Sequence, residues 1–192
     1  MIVKFVRHGE TDLNYPVRRM QGISDYDLNS NGIKQAEAIR NKLAEEDFDI
    51  IISSPLKRAK HTAEIINELK KLDIIFDDRI IERNYGQLEG QLFNKNYCNL
   101  DYDFESIGGE SIDTYKARLK DFIFEIKKKY YDKKVLVVAH NGVISVLSCM
   151  LEGEPEDKNF ENRGIKNGEL ESVEISMFSS SLLYNLLFSW FI

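Results

Sequence analysis

Ile2-Val3-Lys4-Phe5-Val6-Arg7-His8-Gly9-Glu10-Thr11 decides how the rest of the chain is read. Its apolar run has the length of a buried strand, and it stops at an arginine and a histidine. In an open parallel sheet, ligands bind in the crevice beyond the carboxyl ends of the strands, so charged, titratable residues there mark a site. The pattern recurs twice. Phe48-Asp49-Ile50-Ile51-Ile52 ends at Ser53-Ser54-Pro55 with Arg58 one turn on, and Val135-Leu136-Val137-Val138-Ala139 ends at His140-Asn141-Gly142. The chain has 3 histidines, and two of them terminate expected central strands, which a solvated surface does not explain.

Helix patterns separate these runs. Asn29-Ser30-Asn31-Gly32 supplies cap chemistry for a helix whose apolar positions Ile33, Ala36, Ile39 and Leu43 recur at spacings of three and four. Ser54 is expected to cap the next helix, with Pro55 at its first position and Ala59, Ala63, Ile66 and Leu69 along its buried stripe. A short strand over 72–76 leads into an aperiodic loop, 77–86. The aromatic-dotted segment 92–107 reads either as a surface excursion with a satellite cluster or as a lid over the site. Glu110-Ser111 opens an amphipathic helix to about Tyr130. Alternation of strands and helices implies an α/β fold: a three-layer sandwich with a mostly parallel central sheet and helices on both faces.

A chain of 192 residues with 43% hydrophobic content buries one core, which sets a single domain over residues 1–175. The formal net charge of -6 argues against nucleic acid or an anionic membrane as partner, since both require a basic face. Cys98 and Cys149 lie in unrelated segments and suggest neither a disulfide framework nor a zinc site. Metal ligation by His8 and His140 lacks the carboxylate or cysteine company such sites need, so no metal and no cofactor is expected. The first residues enter a core strand directly, with no basic leader or apolar signal core, which points to the cytoplasm. Residues 176–192 form an apolar tail; Ile175 to Ile192 carry no charge. The tail is read as docked on the domain or on a second copy, as in a homodimer, with a membrane-spanning segment as the competing reading.

Two arginines, two histidines and helix N-termini at one crevice suit a tetrahedral dianion. Arginine forks match phosphate oxygens, and helices starting after Ser54 and Asn141 would aim N–H groups at the same point. With no Gly-rich phosphate loop of Walker type, a nucleophilic histidine is the economical way to break a phosphoester, provided its other ring nitrogen donates to a fixed acceptor. The leaving alcohol then needs a proton. Glu82 and Glu89 are the candidate donors, and Glu10, beside Arg7, is a weaker one.

At these residues the chain resembles the histidine phosphatase superfamily, also called the phosphoglycerate mutase-like family. Arg7-His8-Gly9-Glu10-Thr11 with Asn14 resembles the signature loop, and Ser53-Ser54-Pro55-Leu56-Lys57-Arg58-Ala59 with Thr62-Ala63 the second arginine motif. Gln21-Gly22, Asp27-Leu28, Gly32 and Gln35-Ala36 fit the intervening pattern. Glu82-Arg83-Asn84-Tyr85-Gly86 with Glu89-Gly90 resembles the acid motif, while Gly109-Glu110-Ser111 and His140-Asn141-Gly142 complete the set. The resemblance implies His8 as the phosphorylated nucleophile, Arg7, Arg58 and His140 as the rest of the phosphate pocket, and Glu82 as proton donor. It further implies substrate contacts from Asn14, Gln21, Gly22, Arg83, Tyr85 and Asn141, with Arg83 and Tyr85 meeting a second anionic group. His61 takes no role and reads as a surface helix residue.

The acid motif resembles the mutase version, yet the order His140-Asn141-Gly142 and the short stretch before it depart from mutases. A compact lid admits water to the phosphohistidine, which favours hydrolysis. The expected function is therefore a metal-independent phosphatase acting on a small phosphorylated metabolite through a phosphohistidine. Phosphoglycerate mutase-type transfer is the alternative within the family, and a silent phospho-ligand binding protein is the alternative outside enzymology.

Overall fold

The computed structural model describes residues 1–153 and 155–174. Five strands form one sheet: β1 (Ile2–Arg7), β2 (Ile50–Ser53), β3 (Ile74–Phe76), β4 (Lys134–Ala139) and β5 (Leu170–Glu174), in the order β3-β2-β4-β1-β5. β1 to β4 pair in parallel, and β5 closes the edge antiparallel to β1. Register brings the motifs together. Arg7 pairs with Ala139, so His8 and His140 leave adjacent strand ends side by side, and the His8 N–H donates to the Ala139 carbonyl at 3.0 Å. Ser53 pairs with Val138 on the other flank of β4, which places Ser54 next to His140.

Both faces of the sheet are covered, as the apolar runs require. Val3, Phe5, Val135 and Val137 pack on one face against α3 (Ile112–Lys129) and α4 (Asn141–Glu152), through Leu119, Phe122, Ile123, Val143 and Leu147. Val6, Ile51, Leu136 and Val138 pack on the other against α1 (Ser30–Lys42) and α2 (Lys57–Lys70), through Ile39, Leu43, Ala59, Ala63 and Ile66. This is the expected three-layer arrangement. Asn29 caps α1, its side chain accepting from the N–H groups of Asn31 and Gly32, and Ser111 caps α3 by accepting from Thr114.

Three local expectations are corrected. β2 starts at Ile50 because Asp49 is drawn to the start of β4, accepting from the Lys134 N–H at 2.8 Å. β3 starts at Ile74, since both Leu72 backbone groups bond the Asn67 side chain. α2 begins at Lys57 with Leu56 at its N-cap position, so Ser54 and Pro55 precede the helix. Ser54 is engaged elsewhere: its hydroxyl lies 2.8 Å from His140 Nε2. The first N–H of α2 donates to Asp25 Oδ1 at 2.7 Å, so that helix end is closed by a carboxylate. Among the described residues no helix is long and apolar enough to cross a membrane. The apolar segment 176–192 lies outside the described residues.

Candidate active site

At the carboxyl ends of β1, β2 and β4 lies a cleft with about 550 Å³ of empty space, counting its open mouth, which suits a small metabolite. His8 forms part of its wall and is 4% exposed. Its Nδ1 sits 2.7 Å from the Gly9 carbonyl oxygen. A carbonyl only accepts, so Nδ1 carries the ring proton and Nε2 keeps its lone pair. Burial, reinforced by Arg58 and Arg7, holds the His8 imidazole well below its ordinary pKa, which keeps the ring neutral.

His140 packs beside it, ring centroids 5.2 Å apart. It is fully buried and held below its ordinary pKa by burial, then by Arg58, His8 and Arg7. Two neutral buried histidines bear on stability. Unfolded imidazoles take up protons as pH falls below about 6.5 and these two do not, so stability is complete above that pH and is lost below it. The expected loss is about 1 kcal/mol for each histidine between pH 6.5 and 5.5, steepening toward about 1.4 kcal/mol per pH unit below that. Urea titrations in phosphate-free buffer check this, and a flat profile over that window contradicts it.

Arg7 and Arg58 stand on either side. Arg7 Nη1 donates to the Ile165 carbonyl at 2.8 Å, while Arg58 Nη1 and Nη2 donate to the carbonyls of Ser24 and Gly22 at 2.7 and 2.6 Å. Burial lowers each to about 10, so both stay charged at neutral pH. Arg7 Nε, Arg58 Nε, Arg83 Nη1 and Nη2, Gln21 Nε2 and His140 Nδ1 are buried without a hydrogen-bond partner. Buried donors are rarely left unpaired, and donors gathered around one neutral histidine fit the oxygens of an anion.

Glu82 faces the same cleft and is 7% exposed. Its Oε1 accepts from the Tyr115 hydroxyl and the Arg83 N–H, both at 2.9 Å, and its Oε2 accepts from the Gly142 N–H at 3.0 Å. Burial and the neighbouring carboxylate push the Tyr115 phenol well up, so its hydroxyl remains a donor. Gly142 is at the first turn of α4, whose N-terminus thus receives the carboxylate. A Cβ there would meet Glu82 Oε1 at 2.3 Å, which only glycine avoids. Glu89 is different. Its Oε1 accepts from Ile23 and Tyr85 N–H at 2.9 and 3.1 Å, and its Oε2 from the Ser24 N–H at 3.0 Å and the Ser24 hydroxyl. That carboxylate staples two loops and is absent from the cleft wall. Glu10 is also absent from it, with Oε1 accepting from Asn29 Nδ2 at 3.0 Å.

Of the expected substrate contacts, Asn14, Gln21, Gly22, Tyr85 and Asn141 line the cleft. Arg83 does not. It is 1% exposed, its Nε donates to the Glu110 carbonyl at 2.9 Å, and its guanidinium lies 4.4 Å over the Phe104 ring. Segment 92–107 reconciles its two readings: Phe104 forms a satellite cluster with Met20 and Tyr85, while Phe93, Tyr97 and Cys98 wall the cleft. His61 sits on the outside of α2, its Nδ1 2.8 Å from Asp27 Oδ1. Sequence reasoning missed Tyr115, which has the spacing of an ordinary core residue, and it missed Arg18 and Arg19 at the cleft mouth. Their place directly before Met20-Gln21-Gly22 was the available signal.

The chain matches the histidine phosphatase superfamily (branch 1) over residues 3–183. It is 39% identical over 158 residues to phosphoserine phosphatase 1 of Hydrogenobacter thermophilus, covering 77% of this chain and 74% of that one. It is 36% identical over 177 residues to an uncharacterised phosphatase of Bacillus subtilis, covering 91% and 88%. Among solved structures, a mycobacterial glucosyl-3-phosphoglycerate phosphatase complexed with VO3 superposes with a TM-score of 0.79 at 28% identity, covering 90% of this chain and 92% of that one. Motif order, strand register and these relatives agree: the chain belongs to the histidine phosphatase superfamily and is a phosphatase of that family.

Proposed function

We propose that the protein hydrolyses a small phosphomonoester by two phosphoryl transfers at His8. In the first, the Nε2 lone pair forms a bond to phosphorus as the ester P–O bond breaks, and the leaving oxygen takes a proton from Glu82. In the second, water attacks the phosphohistidine, Glu82 takes up its proton, the P–N bond breaks, and the electron pair returns to the ring. Arg7, Arg58, His140 and Gln21 hold the phosphoryl oxygens, whose charge peaks in the transition state.

The observation that carries this reading is the hydrogen bond from His8 Nδ1 to the Gly9 carbonyl, which leaves the second ring nitrogen basic in a cleft shared with Glu82. Among the described residues no group of three or more histidine, cysteine or carboxylate side chains could hold a metal ion. The test is phosphate release from an aryl phosphate with and without a strong chelator. Equal rates are expected; loss of activity that divalent metal restores would contradict the reading. We place the reaction in the cytoplasm, where small phosphorylated metabolites are made and where the buried thiols Cys98 and Cys149 stay reduced.

A further inference from the structure

Ser54 stands at the end of a central strand, as His8 and His140 do, yet the phosphoryl transfers above leave its hydroxyl without a part. It follows β2 directly, and Pro55 behind it confines its backbone to the extended region. Its N–H donates to the Val138 carbonyl at 3.0 Å, one residue beyond the pairing of Ser53 with Val138. Strand register thus sets it beside the residue that follows β4. Ser54 and His140 are both fully buried, and the Ser54 Oγ lies 2.8 Å from His140 Nε2.

That contact has two possible polarities, and the neighbouring groups choose between them. Burial keeps His140 neutral, so one ring nitrogen carries the proton and the other a lone pair. Among the described residues the Ser54 hydroxyl has two partners: His140 Nε2, and the Leu56 N–H, which donates to it at 3.4 Å. An N–H cannot take the hydroxyl proton. Nε2 therefore accepts it, since a buried hydroxyl left without an acceptor is costly. The ring proton then sits on Nδ1, which is buried with no partner of its own. The ring packs beside His8, 5.2 Å between centroids. At Nδ1 a lone pair would repel a phosphoryl oxygen, whereas an N–H binds one.

We propose that Ser54 is a positioning residue for phosphoryl transfer: its hydroxyl donates to His140 Nε2 and so fixes the tautomer whose Nδ1–H binds a phosphoryl oxygen held at His8. This rests on the phosphatase reading above. Ser54 itself touches no substrate and acts through the ring it orients. The hydrogen bond it secures is to a charged oxygen, a class of bond that makes about a 10- to 100-fold difference in affinity.

Multiple-bond nitrogen–proton NMR of protein isotope-labelled at its 3 histidines reads the tautomer directly. In phosphate-free buffer above the ordinary imidazole pKa of about 6.5, wild-type His140 should show a protonated Nδ1 and a bare Nε2. In Ser54→Ala either tautomer leaves both ring nitrogens unpaired, so the fixed form should give way to a mixture. There kcat/KM for an aryl phosphate should fall about 10- to 100-fold, and inorganic phosphate should inhibit correspondingly less. Ser53→Ala is the control for a lost buried hydroxyl. Its Oγ donates to the Ser54 carbonyl at 2.9 Å instead of to a ring, so the tautomer and the inhibition by phosphate should stay as in the wild type. A protonated Nε2 on wild-type His140 overturns the assignment with no variant needed. An unchanged tautomer or unchanged phosphate inhibition in Ser54→Ala overturns it too, as do equal losses in both variants. Failure of the wild type to hydrolyse any ester overturns the phosphatase reading instead.

Discussion

His8→Ala should lose turnover by a factor on the order of 10⁴ or more on every phosphoester, activated aryl phosphates included. The size follows from the role. A nucleophile that bonds to phosphorus defines the pathway, so its removal does not merely weaken a step. The effect should fall on kcat, because Arg7 and Arg58, positioned by backbone carbonyls, and Gln21, whose Oε1 accepts from the Thr11 hydroxyl, hold the phosphate without help from the His8 ring. Stopped assays with aryl and alkyl phosphates measure it. Retention of more than about a tenth of wild-type kcat would mean that another group attacks phosphorus.

Glu82→Gln should separate substrates by leaving group. Alkyl phosphates release an alkoxide that must be protonated, so their kcat should drop about 10²- to 10³-fold, whereas an aryl phosphate should lose less than about tenfold. The amide keeps the approximate shape of the carboxylate but cannot supply the proton. Glu89→Gln is the control. Its two oxygens accept from Ile23, Ser24 and Tyr85, so the change should cost stability, about 1–3 kcal/mol, with one factor across all esters. If Glu89→Gln shows the leaving-group dependence and Glu82→Gln does not, the acid lies on the wrong side of the loop.

The sequence carried the site further than it carried the details around it. Strand ends at Arg7-His8, Ser53-Ser54 and His140-Asn141 were legible because buried parallel strands are continuous apolar runs, and polar residues directly after them have few places to go except the crevice. Convergence of His8 and His140 then follows from the pairing of Arg7 with Ala139. The start of α2 was misread because Ser-Pro before a helical stripe is a strong local capping signal, yet a tertiary partner, His140, claims the serine. The edge strand β5 went unread; it runs against the direction of the other four. Arg83 was legible as a charge beside the acid; its Nε is held by the Glu110 carbonyl, while its Nη1 and Nη2 are buried without a hydrogen-bond partner. Tyr115 was legible only as core. Nothing in an amphipathic stripe announces that one hydroxyl reaches a carboxylate on a loop 33 positions earlier in the chain.

One measurement bears on the central claim directly: rapid quenching of the enzyme during turnover of a phosphate-labelled aryl ester, followed by mapping of the labelled peptide under alkaline conditions that preserve phosphohistidine. The structure predicts an acid-labile phosphoryl group on the peptide containing His8, attached at Nε2, because Nδ1 is protonated and bound to the Gly9 carbonyl. Its formation should be at least as fast as kcat, and it should be absent from His8→Ala. Label on His140, or turnover through single-turnover conditions with no phosphoenzyme at any time point, would contradict the account.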